Sequence, residues 1–224
     1  DLLISRTLDC HSDKMTTSPP KTSKRALYLV IAVCLAPVVI SYVMYYGVRP
    51  EGRTNYGELL SPQQAVQTVP TQPLVQPQAE SALLEAIQSW PADDPRRRLE
   101  SLGHLRGRWL LVKVGPSACD QACREQLWQM RQVRLTTGRE RDRVERLWLV
   151  TDQGQPGLTT EDQGTWVLRV DPKQLAGWPA DQQLADHVYL IDPLGNLMMR
   201  FPAKADPVGM KKDLNKLLKA SRIG

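Results

Sequence analysis

Arg106-Gly107-Arg108-Trp109-Leu110-Leu111-Val112-Lys113-Val114-Gly115-Pro116-Ser117-Ala118-Cys119-Asp120-Gln121-Ala122-Cys123 reads as a hydrophobic strand, a Gly-Pro turn and a helix opening on two cysteines spaced C-x3-C. Four residues make about one helical turn, so both sulfurs can share one face at a helix N-terminus. The first amide N–H groups and the helix dipole favour negative charge there, which suits thiolates. The stretch therefore points to soft-metal binding or thiol redox chemistry. Two small apolar residues heading a buried stripe, or a plain disulfide, are the structural alternative.

Downstream, Cys119, Cys123, Leu127, Met130 and Val133 recur at helical spacing, so a helix is predicted from Cys119 or Asp120 to about Leu135. Strands follow at Val144–Thr151, Trp166–Val170 and Val188–Ile191. Pro193-Leu194-Gly195-Asn196 is a turn returning Leu197–Phe201 as a hairpin partner. Pro207–Ala220 closes the chain as an amphipathic helix. The order β-α-β, a further α/β segment, a hairpin and a helix predicts an α/β fold of thioredoxin-like type, with helices on both faces of a central sheet.

Upstream, Ala26–Val48 contains no charge and is long enough, at roughly 34 Å as a helix, to cross a bilayer. Pro37 is tolerable within it, and Tyr42, Tyr45 and Tyr46 gather at one end as an interfacial belt. A cleavable signal peptide would have a shorter apolar core and a small-residue cleavage site, so an uncleaved anchor is expected. Lys14, Lys21, Lys24 and Arg25 precede the span, against Arg49, Glu51 and Arg53 after it. This bias places the N-terminus in the cytoplasm and the rest in a periplasm-like, oxidising space.

The expected organisation is a cytoplasmic tail over 1–25, a transmembrane helix over 26–48, a juxtamembrane segment and Gln/Pro-rich tether over 49–97, and a globular domain over 98–224. Within the tether, Ala79–Trp90 can form a short amphipathic helix. Residues 1–14 lack a starting Met while Met15-Thr16-Thr17-Ser18 resembles one, so they are read as an over-extended reading frame or a cloning remnant. Cys10 and His11 fall there, and no function is assigned to them. A net charge of +5 is spread among interleaved acids, as in Arg139-Glu140-Arg141-Asp142-Arg143, which argues for a solvated surface and against a nucleic-acid partner.

His187 stands just before the Val188–Ile191 strand, where thioredoxin-like domains bring a residue against the active cysteines. An imidazole there serves as a third metal ligand or as a base for a thiol, with Asp186 placed to orient its other nitrogen. It reads equally well as a partly exposed loop histidine. His104 is expected at the surface, and Met198 and Met199 in the core.

Leu105-Arg106-Gly107-Arg108-Trp109-Leu110-Leu111-Val112 with Gly115 and the C-x3-C pair, and Asp186-His187 with Tyr189-Leu190-Ile191-Asp192-Pro193-Leu194-Gly195, resemble the core of Sco/SenC-type proteins. Asn55-Tyr56-Gly57-Glu58-Leu59-Leu60 and Met130-Arg131-Gln132-Val133-Arg134-Leu135 resemble a divergent proteobacterial subgroup of membrane-anchored members. The resemblance implies a bacterial inner-membrane assembly factor for cytochrome c oxidase that handles copper or acceptor thiols through Cys119 and Cys123, which match the family's cysteine pair; His187, which only lies near the position of the family's ligand histidine, would be the third copper ligand. Its partners would be an oxidase subunit or other assembly factors. A thiol–disulfide oxidoreductase using Cys119 and Cys123, and a non-catalytic docking module with inert cysteines, are the alternatives. The chain departs from the family pattern at Arg124, where proline normally follows the second cysteine, and at Thr151-Asp152-Gln153-Gly154-Gln155-Pro156, which replaces an aspartate-rich stretch. The family's ligand histidine also lies about three residues further upstream of the turn than His187.

Overall fold

The computed structural model describes residues 24–47, 55–180 and 183–223. Residues 1–23, with Cys10, His11 and most of the positive flank, lie outside the described residues, as do the charges at 49–53. The chain divides into two units, 1–52 and 53–224. In the first, α1 (Lys24–Tyr46) is a continuous 23-residue helix through Pro37 with a mean hydropathy of 2.5, long and apolar enough to cross a membrane.

The second unit is a seven-stranded sheet. Its strands are β1 (Glu58–Ala65), β2 (Gln72–Val75), β3 (Trp109–Gly115), β4 (Val144–Val150), β5 (Thr165–Arg169), β6 (Val188–Ile191) and β7 (Asn196–Arg200), in the spatial order β1-β7-β6-β3-β4-β5-β2. β3 pairs parallel with β4 and antiparallel with β6, and β7 continues antiparallel from β6. Every residue of β3 and of β4 is buried, as expected for central strands covered on both faces, which explains their near-continuous apolar sequences. Gly195 makes the β6–β7 turn at φ +86°, a conformation glycine adopts without penalty, while Asp192 accepts the N–H groups of Leu194 and Asn196.

Helices α3 (Gln121–Thr136) and α4 (Pro207–Ala220) cover one face, packing Leu127, Met130, Leu214 and Leu218 against Leu111, Trp148 and Leu190. α4 starts on Asp206, whose carboxylate accepts the N–H groups of Val208 and Gly209. The opposite face carries Leu110, Val112, Leu149, Trp166 and Tyr189, and its cover comes from α2 (Ala82–Ser89) and the short turns at Pro95–Arg98 and Leu102–Leu105.

That cover corrects the expected tether. Residues 55–97 belong to the folded domain and supply both edge strands as well as α2. Pro62 and Pro73 are compatible with β1 and β2 because an edge strand needs only one hydrogen-bonded neighbour. The start of this segment is locked onto α4: the buried Asp213 carboxylate accepts the Gly57 N–H at 2.7 Å, and the Tyr56 hydroxyl accepts the Asp206 N–H at 2.7 Å. Glu58 pairs with Arg200 across β1 and β7. On the far face, Glu145 is fully buried on β4 and accepts the Leu83 N–H at 2.8 Å and the Trp166 indole N–H at 3.3 Å, fastening α2 to the sheet. Burial pushes its carboxyl above the usual range.

Candidate functional site

Cys119 and Cys123 are joined by a disulfide, with their Cα atoms 5.3 Å apart. The local sequence accounts for this placement. β3 ends at Gly115, Pro116 turns the chain, and Asp120 caps α3 by accepting the Cys123 N–H at 2.8 Å. Cys119 therefore lies two residues ahead of the helix, just before its Asp120 cap, and Cys123 in its first turn, a slightly later start than the sequence predicts. The two sulfurs differ in access: Cys119 is half-buried, whereas Cys123 is 8% exposed and packs beside Leu127. Reduced, the pair offers one reachable thiol and one sheltered thiol beside the positive end of a helix dipole.

The turn before Cys119 is held from the neighbouring strand end. Asp152, just past β4, accepts the backbone N–H and the hydroxyl of Ser117, each at 3.1 Å, and the Gly154 N–H at 3.1 Å. Arg169 donates to the carbonyls of Asp152 and Gly154 at 2.9 Å. A Cβ at Gly154 would run into the Ser117 side chain, so this approach requires glycine. Hydrogen bonds from Ser117 and Gly154 hold the Asp152 carboxyl below its ordinary value against a desolvation that opposes them. Arg124 reaches the same loop, donating to the Gly157 carbonyl at 3.3 Å, with Asp162 at 3.9 Å. Asp152→Ala is expected to lower stability by about 1–3 kcal/mol, the scale for removing an ionised acceptor from several donors, measured by urea denaturation. Asp152 contributes fully above its unfolded value, and the contribution fades as pH falls through its depressed folded value.

His187 is 1% exposed, not a loop histidine at the surface. Its Nδ1 lies 2.9 Å from the Phe201 carbonyl oxygen, which can only accept, so Nδ1 is the donor in this bond. The ring stands edge-on to Tyr189, with centroids 6.1 Å apart. Residues two apart on a strand share a face. Tyr189 belongs to the cluster on the α2 side, whereas both cysteines pack with the cluster under α3 and α4. The structure thus brings Cys119 and Cys123 together without grouping His187 with them. Among the described residues, no group of three or more His, Cys, Asp or Glu side chains is arranged to hold a metal. His104 is half-buried rather than at the surface, Met199 is buried and Met198 is partly buried, both on the α3–α4 side.

Two further side chains converge on the site. Lys113, in β3, is 2% exposed and donates to the Ala185 carbonyl in the turn before β6. Gln126, one turn after Cys123, donates to the adjacent Asp186 carbonyl at 2.7 Å. Both tie the cysteine-bearing elements to the turn that carries His187. A lysine inside an otherwise apolar strand is the signal by which Lys113 can be found in sequence. Gln126 leaves no such trace on a helix rich in polar residues. Burial brings the Lys113 ammonium down to about 8, despite opposing attraction from Asp120 and Asp186. Between pH 8 and the ordinary lysine range the folded chain holds fewer protons than the unfolded one, so stability rises with pH there. The expected gain, of order 3 kcal/mol in total, should vanish in Lys113→Met, as read from urea midpoints at pH 7.5 and 10.

A parallel β3-α3-β4 unit continued by the β6–β7 hairpin and α4, with a cysteine pair at the start of α3, defines a thioredoxin-like dithiol protein. Residues 109–221, half of the chain, match the family described as transmembrane-like, thioredoxin-like, C-terminal domain, and the chain belongs to it. Similar solved structures include yeast Sco1 with copper bound (15% identity, TM-score 0.46, covering 54% of this chain and 84% of that one). Others are Bradyrhizobium japonicum ScoI with copper bound (19%, 0.40, 54% and 88%) and a putative electron transfer protein from Aquifex aeolicus VF5 (12%, 0.44, 70% and 98%). No curated protein matches the chain.

Proposed function

We propose that this chain is a membrane-anchored assembly factor for cytochrome c oxidase, working through Cys119 and Cys123 on the periplasmic side of a bacterial inner membrane. The observation that carries the reading is the pair itself, two cysteines at a helix start with one sulfur reachable and the other sheltered. The apolar helix α1 supports the anchor, and the sequence resemblance to Sco/SenC proteins supports the oxidase as destination. Copper is cargo in this reading. Two thiolates suit Cu(I), and an imidazole is a fitting third donor. His187 would supply it through Nε2 after the turn ahead of β6 moves, because in the disulfide-bonded chain its ring packs with Tyr189.

The second reading, a thiol–disulfide oxidoreductase acting on the acceptor cysteines of an oxidase subunit, is favoured by the same difference in access. In such exchange the reachable Cys119 attacks and the sheltered Cys123 resolves. Anaerobic Cu(I) titration separates the two. The full chain is reduced in detergent with Cys10→Ser and Cys34→Ser, which removes the other two thiols. Carriage of copper predicts one Cu(I) per chain, lost in Cys119→Ala/Cys123→Ala and weakened at least tenfold in His187→Ala. Equal binding by wild type and the double variant refutes copper carriage and leaves thiol exchange.

A further inference from the structure

Arg146 is a buried guanidinium with too few acceptors. It stands on β4, 1% exposed, and its Nη2 donates to the Gln163 carbonyl and lies 3.7 Å from the Glu80 carboxylate. Among the described residues, nothing pairs with its Nε or Nη1, with the Nε of Arg131, or with the hydroxyl of Thr165, the cross-strand neighbour of Arg146 on β5. Buried polar groups are nearly always satisfied, so four open donors around one side chain call for an explanation. Burial, with repulsion from Arg134 and Arg131, works against the Arg146 charge, and attraction from Glu80 and Asp162 opposes them.

Glu80 holds this group together. Its Oε1 lies 3.3 Å from Arg131 and its Oε2 3.7 Å from Arg146, so one carboxylate bridges two guanidiniums. It does so at φ +59°, a backbone conformation costly for a residue with a Cβ. Two clefts meet at the bridge. One, of about 370 Å³, is lined by Glu80, Ser81, Glu85, Arg134, Arg141 and Asp142. The other, of about 480 Å³, is lined by residues 75–78 and by Gln163, Gly164 and Thr165. A Cβ at Gly164 would come within 2.8 Å of Arg146 Nη2 and 3.0 Å of Glu80 Cβ, so glycine lets the backbone approach the pair.

We propose that Arg131, Arg146 and Thr165 form a binding site for a phosphate group, free or carried on a phospholipid, with the Glu80 carboxylate as its internal occupant. Guanidinium forks match phosphate oxygens, and a doubly charged tetrahedral anion offers acceptors to all four open donors. Displacing Glu80 also lets its backbone leave the left-handed region. Glu85 and Asp142 keep the rim of the first cleft mixed in charge, whereas the floor is cationic once Glu80 turns away. The site does not depend on the chemistry of the cysteine pair.

The test uses the full chain, disulfide intact, in an uncharged detergent, with phosphate, acetate and chloride compared at one ionic strength. Glu80→Gly suits the left-handed backbone and empties the bridge, so phosphate should raise its urea midpoint above that in acetate or chloride. Its apparent Kd for phosphate should be roughly tenfold tighter than that of wild type, since no carboxylate competes. Arg146→Met, which removes the buried charge, should fold and abolish the effect in that background. Glu80→Gln removes the charge alone and carries the test if the glycine variant does not fold. A second arm places the chain in nanodiscs of phosphatidylcholine with or without phosphatidic acid and reads amide exchange at 79–84 and 163–165. Protection by inorganic phosphate assigns a free phosphate, and protection by phosphatidic acid alone assigns a lipid headgroup. Midpoints equal in phosphate, acetate and chloride, with no protection from phosphatidic acid, overturn the proposal, as does a phosphate effect that survives Arg146→Met.

Discussion

Cys119→Ala, in the chain lacking Cys10 and Cys34, is expected to bring thiol exchange down to background, whereas Cys123→Ala is expected to accumulate a mixed disulfide. The asymmetry follows from where α3 begins. Cys119 precedes the Asp120 cap and is half-buried, so an incoming sulfur can reach it. Cys123 sits inside the first turn at 8% exposure, against Leu127, and can be reached only by its neighbour. Removing the attacking sulfur leaves no route for exchange, while removing the resolving sulfur stops the reaction halfway. Non-reducing gels after challenge with an oxidised dithiol substrate read both outcomes. Equal trapping by the two single variants would remove the assigned order. Loss of the cross-link itself is a modest matter for stability. It closes a loop of only four residues in sequence separation, worth about 2 kcal/mol on the chain-entropy estimate, so both variants should fold.

Truncation at residue 98 is expected to abolish cooperative folding, although sequence composition places the domain boundary there. A chain of 98–224 lacks β1, β2 and α2, and with them Val66, Val69, Leu83 and Ile87, all buried. At about 1.5–3 kcal/mol for each buried aliphatic side chain, these four represent roughly 6–12 kcal/mol, comparable with the net stability of a whole domain. The truncation also strips the partners from β5 and β7, leaving both flanks of the sheet as open edges. Urea denaturation followed by circular dichroism should show one transition for 53–224 and none for 98–224. A cooperative transition in the shorter chain would mean that the N-terminal strands are ornamental.

What the sequence conceals here has physical reasons. The central strands are legible because both faces are buried, which imposes apolar runs such as Trp109-Leu110-Leu111-Val112 and Leu147-Trp148-Leu149-Val150. Edge strands carry no such requirement. Gln72-Pro73-Leu74-Val75 pairs on one side only and tolerates proline, so it looks like a linker until its partner β5 is known. The cysteine pair is legible from spacing and helix periodicity. His187 is legible as a residue at a strand entrance, yet its face depends on strand parity, which groups it with Tyr189 and Ile191 rather than with Val188 and Leu190. Arg124 departs from the proline expected of Sco/SenC proteins, and the fold supplies a use for it in holding the 157–162 segment beside the site. Asp152 is visible in the sequence only as a turn residue, because its bond to Ser117 spans 35 residues.

The most direct measurement is oxidase activity in bacterial cells whose own copy of this gene has been replaced by the Cys119→Ala/Cys123→Ala variant, with the variant's membrane level matched to wild type by immunoblot. Activity as low as in the deletion strain is the result predicted for a chain that acts through its cysteine pair. Wild-type activity from the double variant, with activity lost on deletion, would contradict that account and identify a docking protein whose cysteines are inert.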